Sequence, residues 1–308
     1  MTRDVLFLIQ CGPTLGMGHW SRSRELARQM AARGASVRFA LTTPDCMGEV
    51  TEFPAALAQD TAPTNDLLII DGYRITPEQA APFAQAARLT ALIDDTADRP
   101  RPCDVVINFQ LYADACDYSA YPASRRIMGP AWIPLRPGFA PLRADNDRAQ
   151  PRVLLSFGGG VSGEFGLEAA RALAGRFDGP IDLALGAMGP SAADLPGNVT
   201  ATMGDMAAFM RRATLYAGGL GTTFMEALTA GLPCVGYVYA PDQILQARAA
   251  ADYGVPSLDT PDADRFADMV MQALEGGLST PGPAELDGRG AARLAEALLD
   301  DANGADSG

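Results

Sequence analysis

The chain has no lysine: all 24 of its cationic residues are arginine. This excludes Schiff-base chemistry, a lysine general base and the phosphate-binding lysine of a P-loop. Histidine occurs once, as His19, which also excludes multi-histidine zinc sites and HExxH motifs. Any imidazole acid–base chemistry must therefore pass through that residue. Cationic charge is short overall, with 24 arginines against 37 acids and a net charge of −13. That balance argues against nucleic acid or an anionic membrane as a main partner, because phosphate backbones reward clustered cations. It allows one anionic small molecule in a favourable pocket. Cysteine is sparse and scattered, as Cys11, Cys46, Cys103, Cys116 and Cys234, with no CxxC. The expectation is reduced thiols in a cytoplasmic protein. The first apolar run ends by Gly12, too short to span a membrane, and no signal-peptide cleavage pattern follows it, so no membrane insertion is expected.

What is present is apolar. Hydrophobic residues make up 48% of 308, enough for two packed cores. Short apolar runs at 5–9, 37–41, 67–70, 89–93 and 105–107 alternate with helical spacing at 20–33 and 77–88. The polar stretch 144–150, bounded by Pro141 and Pro151, reads as a linker. Beyond it the rhythm restarts, with strands expected at 153–157, 181–185, 199–202, 215–217 and 234–239. Helices are expected at 164–175, 205–212, 222–230, 242–253, 263–274 and 290–299. Strands apolar on both faces and separated by helices predict covered parallel sheets. The expected class is α/β. A Rossmann-like domain over 1–143 and a second over 151–308 would face each other across a cleft, with residues 300–308 frayed. No repeat is evident in the sequence itself.

Three strand-to-helix turns are rich in glycine. The first holds Gly12, Gly16 and Gly18, followed by His19 at a helix start. Glycine lets backbone approach a ligand closely, and the positive end of a helix favours both a diphosphate and the neutral imidazole that a base requires. Read alone, His19 is equally a capping or packing residue. The second turn is Gly158-Gly159-Gly160, whose successive N–H groups could cradle an anion or simply turn the chain. The third runs Gly218-Gly219-Leu220-Gly221-Thr222-Thr223, with Glu226 one turn into the next helix. Glu226 could accept from vicinal ribose hydroxyls or serve as a capping-box acid. Together the turns point to a nucleoside diphosphate. None matches GxGxxG, which leaves NAD the lesser alternative. Asp94-Asp95 could ligate Mg²⁺ or act as an acid; an ion pair among Asp95, Asp98 and Arg99 is the simpler reading. Tyr118, Tyr121 and Trp132 read as core.

Gly16-x-Gly18-His19-x-x-Arg22 resembles the opening motif of the UDP-sugar hydrolases of the pseudaminic acid pathway, which are similar in turn to the GT-B glycosyltransferase MurG. Further segments match in order: Ile69-Ile70-Asp71-Gly72-Tyr73, Leu92-Ile93-Asp94-Asp95-Thr96-Ala97-Asp98-Arg99, Cys103-Asp104, Gly129-Pro130 and Leu135-Arg136-Pro137-Gly138-Phe139. The two later glycine turns, Gly231-Leu232-Pro233, Asp242-Gln243 and Asp287-Gly288-x-Gly290-x-x-Arg293 complete the series. The resemblance implies a GT-B fold. It also implies hydrolysis of a UDP-2,4-diacetamido-2,4,6-trideoxy sugar to UDP and free sugar, with no cofactor and no metal. His19 would be the general base and Tyr73 would support the sugar or the attacking water. Arg22, the glycines, Thr222, Thr223, Glu226, Asp242 and Gln243 would hold the substrate. A GT-B glycosyltransferase using the same donor site is the alternative, and a non-catalytic nucleotide-sugar binder a second. The chain departs from the family at Gly72, where a histidine is usual, and at Asp242, where asparagine is usual; an acid beside a sugar changes donor–acceptor matching.

Overall fold

The computed structural model describes residues 2–11, 18–44, 47–48, 50–58, 62–123, 125–140, 142, 151–157, 163–185, 194–202, 204–241, 243–277 and 282–304. The chain forms two compact units, Met1–Arg136 with Arg289–Gly308, and Pro137–Gly288.

The first unit is built on seven parallel strands: β1 (Asp4–Ile9), β2 (Ser36–Leu41), β3 (Ala55–Leu57), β4 (Asn65–Asp71), β5 (Ala87–Ile93), β6 (Val105–Asn108) and β7 (Arg125–Met128). Their order is β3-β2-β1-β4-β5-β6-β7. Leu67, Leu68, Ile69 and Ile70 of β4 are fully buried. Each such side chain contributes about 1.5–3 kcal/mol relative to exposure. Helix α1 (Gly18–Ala32) follows β1. Helix α2 (Pro77–Ala86) opens on a capping box between Thr76 and Gln79, with proline at its first turn. It ends two residues before the expected position because β5 starts at Ala87. The first three residues of β5 are half-buried or exposed, so they carry no apolar run to announce a strand.

The second unit has six parallel strands: β8 (Val153–Ser156), β9 (Ile181–Ala184), β10 (Val199–Thr202), β11 (Leu215–Gly219), β12 (Cys234–Tyr237) and β13 (Ser257–Leu258). Their order is β10-β9-β8-β11-β12-β13. Its helices are α3 (Gly163–Ala174), α4 (Met206–Arg212), α5 (Thr222–Thr229), α6 (Gln243–Ala251) and α7 (Ala263–Glu275). Phe157, Phe165, Tyr237 and Phe266 pack in one aromatic cluster of its core. Counted within each unit, both sheets begin 3-2-1-4-5-6. A repeat absent from the sequence is thus present in the topology. Ligands of such sheets bind at the carboxyl ends of the strands where the order reverses. Those places are β1/β4 in the first unit and β8/β11 in the second.

The last helix, α8 (Gly290–Gly304), departs from the expected division at 151–308, because it belongs to the first unit. Arg293 donates to the Ala131 carbonyl through Nε (3.0 Å) and Nη2 (2.7 Å), Arg3 Nε donates to Asn303 (2.9 Å), and Arg125 pairs with Asp301. A Cβ on Gly290 would fall 2.2 Å from the Ile133 carbonyl oxygen, so only glycine admits this approach. Residues 137–140 and 142 likewise group with the second unit rather than the first. The expected linker, 144–150, lies outside the described residues. Residues 300–304, expected to be frayed with the rest of 300–308, instead form the last turn of α8, and residues 305–308 lie outside the described residues. Cys11 is disulfide-bonded, which corrects the expectation of reduced thiols throughout; Cys103, Cys116 and Cys234 are free, and Cys46 lies outside the described residues. Among the described residues no helix is long and apolar enough to cross a membrane.

Candidate functional site

In the first unit the reversal of strand order between β1 and β4 brings three segments together. Strand β4 ends on Asp71, whose register partners are Ile9 of β1 and Ile93 of β5. An acid that follows the apolar run Leu67–Ile70 in mid-sheet is fully buried and must find donors. Helix α1 supplies them. His19 Nδ1 lies 2.7 Å from Asp71 Oδ1. Arg22 donates through Nε to Oδ2 at 2.8 Å and through Nη2 to Oδ1, and Ser23 Oγ donates to Oδ2 at 2.9 Å. The spacing 19, 22, 23 places all three on one helix face. With these donors every lone-pair direction of the carboxylate is in use. Asp71 therefore orients its neighbours and has no capacity left for a ligand.

Burial pushes the Asp71 carboxyl toward its neutral form, but Arg22 and then His19 outweigh it and hold its pKa well below the usual carboxylate range. That fixes the imidazole tautomer. Arg22 Nη2 also approaches His19 Nδ1, at 2.9 Å. Were Nδ1 to accept from the guanidinium, its lone pair would face an ionised oxygen at 2.7 Å. The stable arrangement is Nδ1–H donating to Asp71, so that in the neutral ring Nε2 is the nitrogen without a proton. Burial works against the charge of Arg22, yet Asp71 and Asp95 keep its pKa well above the ordinary arginine value. The guanidinium lies over the Phe109 ring, 5.1 Å from its centroid.

Tyr73, two residues beyond β4, stands edge-on to the His19 ring with centroids 4.6 Å apart, and its hydroxyl donates to Asp95 Oδ2 at 3.1 Å. Gly72 precedes it. A Cβ there would lie 2.8 Å from Gln10 Cβ and 2.9 Å from Ile75 Cδ1, so the space that a histidine would need is filled by this chain's own side chains. The Asp94-Asp95 pair resolves into two roles. Asp94 accepts from Thr96 N, Thr96 Oγ1 and Ala97 N on one oxygen, and from Arg101 Nη2 and Tyr121 on the other. That saturation leaves no position for Mg²⁺. The Tyr118 hydroxyl donates to the Asp94 carbonyl, so both tyrosines brace this turn as well as filling core. Asp95 pairs with Arg22 at 3.4 Å, not with Arg99 as the sequence suggested; Arg99 instead lies 3.7 Å from Asp98 at the exposed surface. Among the described residues no group of three or more His, Cys, Asp or Glu is placed to hold a metal ion.

In the second unit the corresponding reversal lies between β8 and β11. Gly218, at φ 156°, pairs with Ser156, and a Cβ would meet the Ser156 carbonyl oxygen at 1.9 Å. Gly219 lies under the Tyr239 ring, where a Cβ would fall 2.4 Å from Cε1, whereas Gly221 faces open space. Tyr216 fixes the turn by donating to the Gly219 carbonyl at 2.7 Å. Helix α5 starts at Thr222 with Gly221 as a cap that offers no side-chain acceptor. Its first N–H groups, with the half-buried Thr222 and Thr223 hydroxyls, make a donor-rich end of the kind that binds phosphate. Glu226 is buried one turn in. Gln243 accepts from Leu220 N (3.5 Å) and Tyr239 N (3.4 Å) through Oε1, and so ties the glycine turn to the start of α6. Gly18 is the exposed first residue of α1. Gly16, Gly158, Gly159, Gly160 and Asp242 lie outside the described residues. Sequence reasoning missed Asp71, Ser23 and Asp95 as partners of the motif residues.

No family model matches the sequence, and no curated protein matches it. Solved structures do. The chain is similar to MurG of Acinetobacter baumannii, with a TM-score of 0.64 and 17% identity over 97% of this chain and 99% of that one. It is similar to the glycosyltransferase SnogD from Streptomyces nogalater, at 0.63 and 15% over 100% and 98%. A third likeness is to the spinosyn rhamnosyltransferase SpnG complexed with thymidine diphosphate, at 0.62 and 14% over 98% and 96%. At these identities the likeness establishes the fold, which is GT-B, with a Rossmann-like parallel sheet in each unit.

Proposed function

We propose that the chain is an enzyme that breaks the bond between a sugar's anomeric carbon and a nucleoside diphosphate, with His19 as the general base. The observation that carries this reading is the His19–Asp71 pair, 2.7 Å apart at the strand-order reversal of a GT-B sheet. Nε2 takes the proton of a hydroxyl nucleophile while its oxygen bonds to the anomeric carbon. The carbon–oxygen bond to the diphosphate breaks, and its electron pair leaves with the nucleotide. A single displacement of this kind inverts the anomeric configuration. Asp71 stabilises the imidazolium as it forms. The backbone N–H groups at the start of α5, with Thr222 and Thr223, would hold the departing charge. Glu226 would hold the ribose.

Two of the neighbouring structures are named as transferases, which favours an alcohol acceptor and makes glycosyl transfer the first reading. One observation favours water. The His19 side chain is only 5% exposed, which suits a very small nucleophile. That second reading is the UDP-sugar hydrolase that the sequence resembles, with a UDP-2,4-diacetamido-2,4,6-trideoxyhexose as substrate. The two separate in one experiment, in which the intact chain is incubated with a panel of UDP- and TDP-sugars, EDTA present throughout. Release of nucleoside diphosphate and free sugar in buffer alone marks hydrolysis. Release that waits for an added alcohol or sugar acceptor marks transfer. No release under either condition, with no nucleotide bound, contradicts both.

Glu226→Ala separates binding from chemistry. A hydrogen bond to a charged group is worth about 1.5–3 kcal/mol, so UDP affinity should fall roughly 10–150-fold. The ribose is remote from the reacting carbon, so KM should rise and kcat should hold. Titration calorimetry with a melting curve on the same sample checks this. Unchanged affinity in a folded variant would remove Glu226 from the ribose site.

A further inference from the structure

We infer that Asp95 is a positioning residue that fixes Tyr73 as a hydrogen-bond acceptor toward the reacting group, an inference that rests on His19 as the base. Asp95 is 2% exposed, in the turn after β5. Its Oδ2 gathers donors from three separate segments: Tyr73 OH at 3.1 Å, Gln110 Nε2 at 3.1 Å and Arg22 Nη1 at 3.4 Å. Its backbone carbonyl accepts from Tyr112 OH at 2.9 Å. This turn is therefore clamped from α1, from the segment after β4 and from the segment after β6. Its other carboxylate oxygen, Oδ1, is buried and has no hydrogen-bond partner.

A phenol has one proton to give. Tyr73 spends it on Asp95, so toward anything else the oxygen can only accept. With its ring edge-on to His19, Tyr73 is then suited to receive a hydrogen bond from an O–H or N–H beside the base, whether on the nucleophile or on the sugar, and unsuited to protonate a leaving group. The lone Oδ1 makes the assignment testable. Asparagine at 95 can keep its carbonyl where Oδ2 lies, facing the same three donors, and place its NH₂ where Oδ1 has no partner. It removes the charge and keeps the geometry. Alanine removes both.

Loss of positioning by about an ångström costs on the order of 10²-fold, so Asp95→Ala should lower kcat/KM by about 10–100-fold, while Asp95→Asn stays within about threefold of the parent. Because Asp95 acts through Tyr73, adding Asp95→Ala to Tyr73→Phe should cost less than about threefold more. A full multiplicative loss in that background would overturn the proposal. A second readout needs no substrate. His19 is the sole histidine, so its ring protons give one set of NMR signals, which sense the Tyr73 ring beside them. They should be displaced in Asp95→Ala and stay in place in Asp95→Asn; unmoved signals in the alanine variant would refute the positioning role. If no nucleotide sugar is turned over at all, the enzymatic reading fails while the NMR arm still decides the role of Asp95. Should Asp95→Ala not fold, Asp95→Ser, too short to reach the phenol, takes its place.

Discussion

His19→Ala lowers turnover by about 10²–10⁴-fold, the usual worth of a positioned general base, and leaves nucleotide affinity within about twofold. The size follows from scarcity. The chain has one imidazole and no lysine, so no second group of suitable basicity stands in reserve. The acids nearest to it are occupied: Asp71 by four donor contacts and Asp95 by three on one oxygen. Nucleotide affinity holds because the proposed diphosphate and ribose contacts come from Thr222, Thr223 and Glu226. Turnover and UDP titration measured on the same preparation check both halves. A variant keeping more than half of the parent kcat would remove His19 from the mechanism.

Asp71→Asn is expected to do comparable damage by a different route. The asparagine can present an N–H to Nδ1, which then accepts and moves the ring proton to Nε2, the nitrogen that must receive the nucleophile's proton. The equivalent swap in the His–Asp pair of a serine protease costs about 10⁴ in kcat. Here a loss of about 10²–10⁴ in kcat with little change in KM is the expected signature. Stability falls too, because Arg22 loses its main counter-charge, and breaking a buried pair costs about 3–5 kcal/mol. The pH dependence has a definite sign. The folded pKa of Asp71 lies below its unfolded value, so its contribution to stability is complete above the ordinary carboxylate range and is lost as pH falls toward the folded pKa. Parent and variant should therefore differ in melting temperature at neutral pH and converge only in strong acid. A melting gap that persists undiminished in strong acid would contradict this.

The interior of each sheet was legible in the sequence, and of the four edge strands only β10, expected and found at 199–202, was. Val5–Ile9 and Leu67–Ile70 announce themselves because strands covered on both faces carry unbroken apolar runs. Strands β3, β7 and β13 carry no such signal. Two residues of β3 are exposed, β7 opens on the exposed pair Arg125-Arg126, and β13 is two residues long. All three lie at a sheet edge, where one side needs no apolar cover. The stripe Ala291, Leu294, Ala295, Leu298 shows that α8 packs, but periodicity does not say against which unit. At the candidate site, the glycine turn and helix start marked His19, and Arg22 followed from its motif. Asp71 lay in a matching segment without a role of its own, and Asp95 read as a partner of Asp98 and Arg99. Their roles depend on register, since only the β1–β4–β5 pairing carries residues 71 and 95 to a helix that begins at residue 18. Gly72 is similar: its departure from the family pattern was visible, and its cause, the side chains of Gln10 and Ile75, was not.

The proposed chemistry depends on which nitrogen of one ring bears a proton. Since the chain has a single histidine, ¹⁵N NMR of the intact protein at neutral pH reads that ring without assignment ambiguity. The expected spectrum shows a protonated Nδ1 and an unprotonated Nε2 in the parent, and the reverse in Asp71→Asn. A parent protein with its proton on Nε2 would contradict the assignment of His19 as a base held by Asp71.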